Sequence, residues 1–366
     1  MLHVVLAGGG TAGHTSPLIA TAQALGRLEP GVKITCIGTE RGLETRLIPE
    51  TGLRLELIPA VPLPRKLTLD LLKVPFRLIG AVKRARRIIR GADTVVGFGG
   101  YVSMPVYLAA RISGIPVVIQ EQNALPGLAN KVASRFSAVT LTSFPGTPLP
   151  GARFEGMPLR EQITELATHG RTARQGEQRE RFGLHPDLPV LLVSGGSQGA
   201  RSLNDATVQA TNRLLEAGVQ ILHVWGARNF HDRIAGSVAS NGARYVPLAY
   251  VDNMADAYAA ADVMLARSGA GTVVETAVVG LPTIFVPLPI GNGEQARNAA
   301  PLVAADAAIV IDDDDLDADL LTTTVNTLVK DPGRLSTMSR AASELMLPGA
   351  AERVGRIVLD IARGRR

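Results

Sequence analysis

Short apolar runs of strand length alternate with segments of helical periodicity along almost the whole chain. Such alternation is typical of βαβ units, in which neighbouring strands are parallel. The pattern predicts strands at residues 2–7, 33–37, 94–96, 116–119, 139–141, 190–193, 219–224, 263–266 and 283–286, and helices at 18–28, 202–215 and 272–279. The sequence therefore predicts an α/β protein built on parallel sheets that are covered by helices.

A predicted strand followed by a Gly-rich turn occurs twice, about half a chain apart. The first turn is GGTAG at 9–13 and the second is GGSQG at 195–199. The proline-rich stretch 143–160 between the two halves is typical of a linker. We therefore predict two Rossmann-like domains that face each other.

Composition narrows the class of protein. The chain has 366 residues, of which 46% are hydrophobic and 19% charged, which excludes a disordered protein. Cys36 is the single cysteine, so no intramolecular disulfide forms and a cysteine-based metal site is not expected. The acidic run 312–315 resembles a metal-binding motif, but we interpret it as an exposed loop. Neither a signal peptide nor a membrane-spanning segment is predicted, which favours a cytoplasmic protein.

The positive charge is concentrated in one segment. The formal net charge is +5, and residues 65–90 carry nine Lys and Arg against Asp70 alone. On a helical wheel this segment has two stripes, of which one is apolar and is predicted to face the core; its members are Leu71, Pro75, Leu78, Val82, Ala85 and Ile89. The other stripe mixes apolar and basic residues, namely Leu72, Phe76, Ile79, Lys83, Arg86 and Arg90.

Apolar side chains among cations suit the headgroup region of an anionic bilayer, and we predict membrane contact through this second stripe. An ordinary solvated helix with a second packing contact is the alternative. A single basic segment on an otherwise acidic chain argues against general affinity for nucleic acid.

The first Gly-rich turn carries a candidate base. Together with Gly8, it matches G-x-G-x-x-G at 8–13, after a strand and before a helix, which suits an anion or close backbone approach. A dinucleotide site would also need an acidic residue about 20 positions later, and Glu40 fits poorly. His14 lies at the start of the helix, whose positive end favours the neutral ring, so it is a candidate general base. A helix-capping or packed histidine is an equal alternative.

Three further loops carry polar residues at strand ends. Tyr101 lies in the turn 99–103, and Glu121, Gln122 and Asn123 follow a strand at the edge where α/β sheets bind ligands, although Asn123 is equally suited to cap a turn. The amides and the Thr272 hydroxyl of the turn 267–272 suit a diphosphate. Glu275, one helical turn later, suits the hydroxyls of a ribose or serves as a first-turn partner of the helix dipole.

Taken together and in this order, these motifs resemble the MurG family, the N-acetylglucosaminyltransferases that convert lipid I to lipid II in bacterial cell-wall synthesis. The matching stretches are GGTAGH at 9–14, GGYVS at 99–103, EQN at 121–123, GMPLR at 156–160, GGSQGA at 195–200, RSGA at 267–270, Glu275, GLP at 280–282 and QARN at 295–298.

The resemblance implies a GT-B fold with two Rossmann-like domains across a cleft. The implied domains are 1–158, on the acceptor and membrane side, and 159–345, which binds UDP-N-acetylglucosamine, with a helix in 346–366 that packs back on the first domain. The implied donor-site residues are Thr11, Ala12, Gly13, Asn123, Arg160, Ser197, Gln198, Val251, Ala270, Gly271, Thr272, Glu275, Glu294 and Gln295. The implied acceptor-side residues are His14, Tyr101, Glu121 and Gln122.

Two positions depart from the family's pattern. Glu294 stands where many relatives carry an amide or imidazole, and Gln120 stands where a histidine is common. The second departure removes one candidate base and leaves His14. The implied reaction is inverting transfer of N-acetylglucosamine to the 4-hydroxyl of lipid I, without a metal or other cofactor, at the cytoplasmic face of the membrane. Cell-wall synthesis proteins are further expected partners.

Three alternatives stay open at this point. A related GT-B enzyme would glycosylate another lipid, such as diacylglycerol. A nicotinamide-dependent oxidoreductase would use the first Gly-rich turn but leave the other loops without a role. A non-catalytic membrane-binding module would explain only the basic segment.

Overall fold

The computed structural model describes residues 1–40, 42–61, 73–290 and 292–365. The chain divides into two compact units, Met1–Arg160 with Gly349–Arg366, and Glu161–Pro348. The domain limits expected from the sequence, after residue 158 and after residue 345, lie within three residues of these limits.

The strands of the described residues are, in chain order, His3–Ala7 (β1), Lys33–Gly38 (β2), Leu55–Leu57 (β3), Thr94–Gly97 (β4), Val117–Glu121 (β5), Val139–Thr142 (β6), Ala152–Phe154 (β7), Val190–Ser194 (β8), Gln220–Val224 (β9), Ser237–Val238 (β10), Arg244–Leu248 (β11), Val263–Ala266 (β12), Thr283–Phe285 (β13) and Ala308–Val310 (β14).

The α-helices of the same residues are Ala12–Leu28 (α1), Glu44–Leu47 (α2), Val74–Ile88 (α3), Ser103–Ile112 (α4), Leu128–Ala133 (α5), Glu161–His169 (α6), Gln175–Arg181 (α7), Arg201–Glu216 (α8), Met254–Ala260 (α9), Ala270–Val278 (α10), Glu294–Ala304 (α11), Ala318–Val329 (α12), Pro332–Leu345 (α13) and Ala350–Ala362 (α14). Short 3₁₀ helices occupy Pro49–Thr51 and Arg171–Arg174.

The first unit contains a parallel sheet in the order β3-β2-β1-β4-β5-β6-β7. Its strand order reverses between β1 and β4, where Ala7 pairs with Gly97. All five residues of β1 are buried, as expected for a strand with helices on both faces. The point of reversal is where such sheets bind ligands, at the carboxyl ends of the strands.

The second unit repeats this arrangement in the order β10-β11-β9-β8-β12-β13-β14. The pairs are parallel apart from the short antiparallel pair of β10 with β11. Here the order reverses between β8 and β12, where Ser194 pairs with Ala266. Each unit therefore has its own reversal point with two loops beside it.

The C-terminal helix α14 belongs to the first unit because it packs on α1. Val354 and Val358 are fully buried there. A Cβ atom on Gly355 would lie 2.9 Å from Leu28 Cδ1, so a larger residue there would make the Leu28 side chain move.

Several sequence expectations about elements are wrong. The stretch expected as a linker contains strand β7, which pairs with β6. The polar composition of residues 169–181 predicts a solvated surface helix, but the helix is broken after His169 and the run contains the buried Arg179, whose guanidinium lies 2.6 Å from Asp262. An arginine that is neutralised by a distant carboxylate has the same sequence signature as a solvated one.

Candidate active site

Four Gly-containing loops lie at the two reversal points. In the first unit they follow β1 and β4, and in the second unit they follow β8 and β12. Because each pair of strands is hydrogen-bonded in register, each pair of loops begins side by side. The topology therefore gathers the motifs found in the sequence into one candidate site in each unit.

The two loops of the first unit are in direct contact. A Cβ on Gly100, whose φ is +79°, would lie 2.8 Å from the carbonyl oxygen of Gly9. The Ser103 hydroxyl joins the loops further, since it lies 3.1 Å from the Ala7 oxygen and 2.7 Å from the Gly99 oxygen. Glycine is thus required for the approach of the two backbones, as the Gly-rich pattern indicated.

His14 lies where these two loops meet. Its Nδ1 is 3.1 Å from Thr11 Oγ1, and a Cβ on Gly99 would be only 3.3 Å from its Nε2. Burial lowers the pKa of His14, and the nearby negative charge of Glu44 opposes that shift. The position of His14 at a helix terminus predicts a neutral ring, but burial is the main cause of its lowered pKa. A neutral imidazole in this place is able to accept a proton near pH 7.

Glu121 points inward and holds a loop. It is 1% exposed, and its carboxylate accepts hydrogen bonds from Asn123 N at 2.9 Å and Gly127 N at 3.0 Å. Asn130 Nδ2 donates a third bond at 2.8 Å, and Asn130 Oδ1 accepts one from the Tyr107 hydroxyl at 2.7 Å. Glu121 was expected on the acceptor side, but its burial makes it a support of the loop.

Gln122 and Gln120 are also turned inward. Gln122 is 1% exposed and donates to the Gln120 carbonyl at 2.8 Å. Gln120 Nε2 donates to Ser143 Oγ at 3.1 Å and to the Gly156 oxygen at 3.0 Å. Gln120 is therefore buried and ties β5 to the segment that leads to Arg160. In contrast, Thr11 and Tyr101 are exposed, and Asn123 is half-exposed.

The second unit offers an anion site at the start of α10. Gly269 precedes the helix, and the first intrahelical bond runs from Val273 N to the Gly269 oxygen. The amides of Ala270, Gly271 and Thr272 therefore have no partner within the helix, and they share the positive end of its dipole. Such a terminus suits a phosphate group.

Glu275 follows one turn later and is held by a residue that sequence reasoning missed. The hydroxyl of Tyr258, on α9, donates to Glu275 Oε2 at 2.8 Å. Asn253 caps α9, because its side-chain oxygen accepts a hydrogen bond from Ala255 N. The buried Val251 lies two residues before this cap. The carboxylate of Glu275 is thus oriented while remaining half-exposed to a ligand. A buried tyrosine some 17 residues upstream gives no local signal, so only the fold reveals it.

The loop after β8 presents Ser197 and Gln198 at the surface. Its backbone is fixed from below, since Asn229 Nδ2 donates to the Gln198 carbonyl at 2.8 Å, and a Cβ on Gly199 would collide with the Trp225 carbonyl. The Trp225 ring is supported by His223, which stacks on it; burial lowers the pKa of His223 to about 3, so this ring is neutral and structural.

The start of α11 lies against the same site. Asn298 Nδ2 donates to the Ser268 oxygen at 3.3 Å, which ties α11 to the loop after β12. Gln295 Oε1 accepts from Leu288 N at 3.0 Å, and Glu294 is exposed. Arg160 lies apart from both loop pairs in sequence, half-buried at the last position of the first unit.

A second feature missed from the sequence is the partly buried ion pair of Arg267 with Asp313, at 2.6 Å. Arg267 also donates to Ser202 Oγ at 2.9 Å and to the Val286 oxygen at 3.1 Å, so it joins β12, α8 and the end of β13. One aspartate of the acidic run is thus used in an ion pair. In the described part of the chain, no group of three His, Cys, Asp or Glu is placed to hold a metal ion.

Helix α3 carries the mixed apolar and basic stripe. Phe76 and Ile79 are 77% and 53% exposed, and Lys83, Arg86 and Arg90 are exposed on the same stripe. Leu72 and Leu71 lie outside the described residues. Of the predicted core stripe, Ala85 and Ile89 are buried but Pro75 is exposed, because α3 begins only at Val74. No helix in the described ranges has the length and apolar character needed to cross a bilayer.

Comparison with known proteins agrees with this geometry. Residues 4–142 match the glycosyltransferase family 28 N-terminal domain, and residues 190–354 match the C-terminal domain of the same family. The UDP-N-acetylglucosamine--N-acetylmuramyl-(pentapeptide) pyrophosphoryl-undecaprenol N-acetylglucosamine transferase of Cutibacterium acnes is 58% identical over 99% of this chain and 98% of the relative. The transferase of the same name from Nocardioides sp. is 53% identical over 99% of both chains.

Solved structures give the same result. The crystal structure of Acinetobacter baumannii MurG superimposes with a TM-score of 0.77 at 29% identity, covering 98% of this chain and 100% of that one. The calicheamicin glycosyltransferase CalG4 superimposes with a TM-score of 0.69 at 16% identity, over 100% of this chain and 99% of that one, and so supports the GT-B fold alone. These matches decide against a nicotinamide-dependent oxidoreductase and against a non-catalytic module.

The two matched domains, the identity over nearly the full length and the Gly-rich loops at both reversal points lead to one conclusion: the chain belongs to the MurG family within glycosyltransferase family 28.

Proposed function

We propose that the protein transfers N-acetylglucosamine from UDP-N-acetylglucosamine to the 4-hydroxyl of the N-acetylmuramoyl unit of lipid I, with inversion, to give lipid II. The observation that carries this proposal is the start of α10, where three amides at a helix terminus are followed one turn later by a carboxylate that Tyr258 orients. This order of groups matches the order of diphosphate and ribose in a UDP-sugar.

In the donor site, the amides of Ala270, Gly271 and Thr272 bind the diphosphate, and Glu275 accepts hydrogen bonds from the ribose hydroxyls. The backbone at Val251 binds the uracil. Gln295, Glu294 and Asn123 bind the sugar, and Ser197 and Gln198 line the site. As the bond from sugar to phosphate breaks, the helix dipole and the Arg160 guanidinium stabilise the charge that develops on UDP.

In the acceptor site, His14 removes the proton of the attacking hydroxyl as that oxygen bonds to the anomeric carbon. Its place between two glycine loops and its lowered pKa support this role, because a neutral ring is ready to accept a proton. Thr11 fixes the ring through Nδ1, and Tyr101 contacts the acceptor from the neighbouring turn.

The acceptor is a lipid, so we place the protein at the cytoplasmic face of the membrane as a peripheral protein. The exposed apolar and basic stripe of α3 supports this location, since apolar side chains enter the headgroup layer while cations attract anionic lipids. Other proteins of cell-wall synthesis are expected at the same surface.

The test is release of UDP by the full chain with UDP-N-acetylglucosamine and a soluble lipid I analogue, with and without EDTA. We expect turnover in both conditions, and none when diacylglycerol replaces the analogue. Glu275→Gln is expected to raise the KM for UDP-N-acetylglucosamine by about 10-fold or more, because a hydrogen bond to a charged group is worth roughly 1.5–3 kcal/mol. Glu216→Gln, an exposed carboxylate at the end of α8, is the matched control.

Turnover with diacylglycerol but not with the analogue would assign the protein to another lipid acceptor. An unchanged KM in Glu275→Gln would contradict the proposed donor site.

A further inference from the structure

A buried carboxylate lies beneath the first Gly-rich loop. Glu44, on the short helix α2, is 0% exposed. Its Oε1 accepts hydrogen bonds from Thr39 N at 3.0 Å and Thr39 Oγ1 at 2.9 Å, and its Oε2 accepts one from Gly10 N at 2.9 Å. The described residues provide no basic partner for it, so these neutral donors satisfy the carboxylate.

The surrounding chain is shaped to admit this side chain. A Cβ on Gly9, Gly38 or Gly42 would collide with the Glu44 side chain. Gly9 follows β1, whereas Gly38 and Gly42 lie on the stretch from β2 to α2, so glycines from two segments leave room for one carboxylate. Burial of a carboxylate is costly unless hydrogen bonds compensate for the lost water, and the bonds from Gly10 and Thr39 do so here.

Glu44 is connected to His14 through the loop itself. It holds the amide of Gly10; the next residue, Thr11, contacts His14 Nδ1 at 3.1 Å. Its charge also acts on the ring, because Glu44 raises the pKa of His14 against the larger effect of burial. Behind the neighbouring Gly99 turn lie the titratable Glu121 and Tyr107, each buried, and Tyr101 is exposed on that turn.

We propose that Glu44 is a positioning residue for proton transfer, which fixes the loop that carries His14 and stabilises the imidazolium formed when His14 accepts the proton of the acceptor hydroxyl. The proposal rests on the proposed function. In that step the O–H bond breaks and its proton passes to the imidazole, the oxygen bonds to the anomeric carbon, and the bond from sugar to phosphate breaks, so that UDP leaves with the electron pair.

The decisive variant is Glu44→Gln, which keeps an oxygen for the amide of Gly10 and removes the charge. We expect kcat to fall by about 10-fold or more, less than the loss expected for removal of His14 itself, while the KM for UDP-N-acetylglucosamine stays within about 2-fold. Activity of a general base falls as pH drops through its pKa. Loss of the carboxylate lowers that pKa, so the acid limb of the kcat profile moves to lower pH.

Glu50→Gln is the matched control, since Glu50 is an exposed carboxylate in the next turn of chain. It should leave kcat and the pH profile unchanged. If Glu44→Gln does not fold, Glu44→Asp is the second variant. It retains the carboxylate, but the shorter side chain places it away from the amide of Gly10. In that variant kcat should fall while the acid limb stays closer to that of the wild type.

NMR titration of labelled histidine separates this proposal from the proposed function, because it follows His14 without turnover. A His14 titration and acid limb that are identical in wild type and Glu44→Gln would overturn the role of Glu44, while His14 could still be the base. If instead His14→Ala retains full activity, the assignment of the base fails and the role of Glu44 in proton transfer fails with it.

Discussion

At the scale of single residues, the side chains proposed to act in proton transfer fit beside glycines, which have no Cβ atom. His14 fits between two loops because Gly99 and Gly100 have no Cβ. Glu44 fits beneath the first Gly-rich loop because Gly9, Gly38 and Gly42 have no Cβ. The histidine was recognisable from its place after a Gly-rich turn, whereas the carboxylate, more than thirty positions away, was not. Spacing along the sequence identifies a residue such as His14, which lies beside its motif, but not a residue such as Glu44, which reaches the motif only in the folded protein.

His14→Ala tests the base directly. We expect kcat to fall by about 10²–10⁴, because a positioned general base contributes that much to proton transfer. The measurement is UDP release with the soluble lipid I analogue, together with a melting curve to show that the variant is folded. His231→Ala, an exposed histidine of the second unit, is the control and should keep its rate. A folded His14→Ala protein that turns over at the wild-type rate would exclude the assignment.

Strand-end residues illustrate how far a sequence prediction extends. Glu121, Gln122 and Asn123 were expected together at the ligand-binding edge of the sheet, and they do lie at the end of β5. Side chains alternate along a strand and loops turn, so their directions differ. Glu121 and Gln122 are buried in hydrogen bonds, and only Asn123 is half-exposed. Location was predictable from the sequence, but direction was not.

At the scale of elements, helix α3 is amphipathic in two ways. Ala81 and Ala85 are buried against the first unit, while Phe76 and Ile79 are exposed with a row of cations. Exposed large apolar side chains next to cations are costly in water unless they serve an interaction. The helical wheel predicted this stripe, except that the beginning of the helix, and hence the place of Pro75, depended on tertiary contacts.

Phe76→Asp combined with Arg86→Glu tests the stripe. We expect binding to vesicles that contain anionic lipid to weaken about 10-fold or more, since each basic residue near such a surface contributes about 1 kcal/mol. Activity towards the soluble acceptor should persist, because α3 lies outside the proposed chemistry. Val208→Asp with Arg340→Glu makes the same charge change on exposed residues of the second unit. Equal vesicle binding by all three proteins would defeat the membrane proposal.

At the scale of the whole molecule, the two units use one topology for two tasks. Each has a parallel sheet whose order reverses at a central pair of strands, and each places two Gly-containing loops there. The surroundings of the loops differ in chemistry. The first unit places a histidine and a buried carboxylate at its loops, whereas the second unit places a helix terminus, Glu275 and the pair of Arg267 with Asp313.

Hydrogen exchange tests this division. We expect UDP to slow exchange in the second unit, at the loops after β8 and β12 and at the start of α11, because bound ligand stabilises the segments that hold it. The loops after β1 and β4 should change little with UDP alone. UMP, which lacks the second phosphate, should protect the start of α10 less. Protection confined to the first unit would contradict the assignment of the donor site.

The sequence by itself determined the alternation of strands and helices, the two halves, and the positions of the Gly-rich turns, because these depend on neighbours in the chain. It also marked His14, Glu275 and the basic stripe of α3, each of which has a local pattern. Only the tertiary structure decided that Glu121 turns inward, that Tyr258 orients Glu275, and that Glu44 lies beneath the loop of His14. The last two pairings join residues 17 and 34 positions apart, and a hydrogen bond between residues so far apart has no periodicity to reveal it. Glu121 binds neighbours only 2 to 9 positions away, but the direction of its side chain depends on how the loop turns.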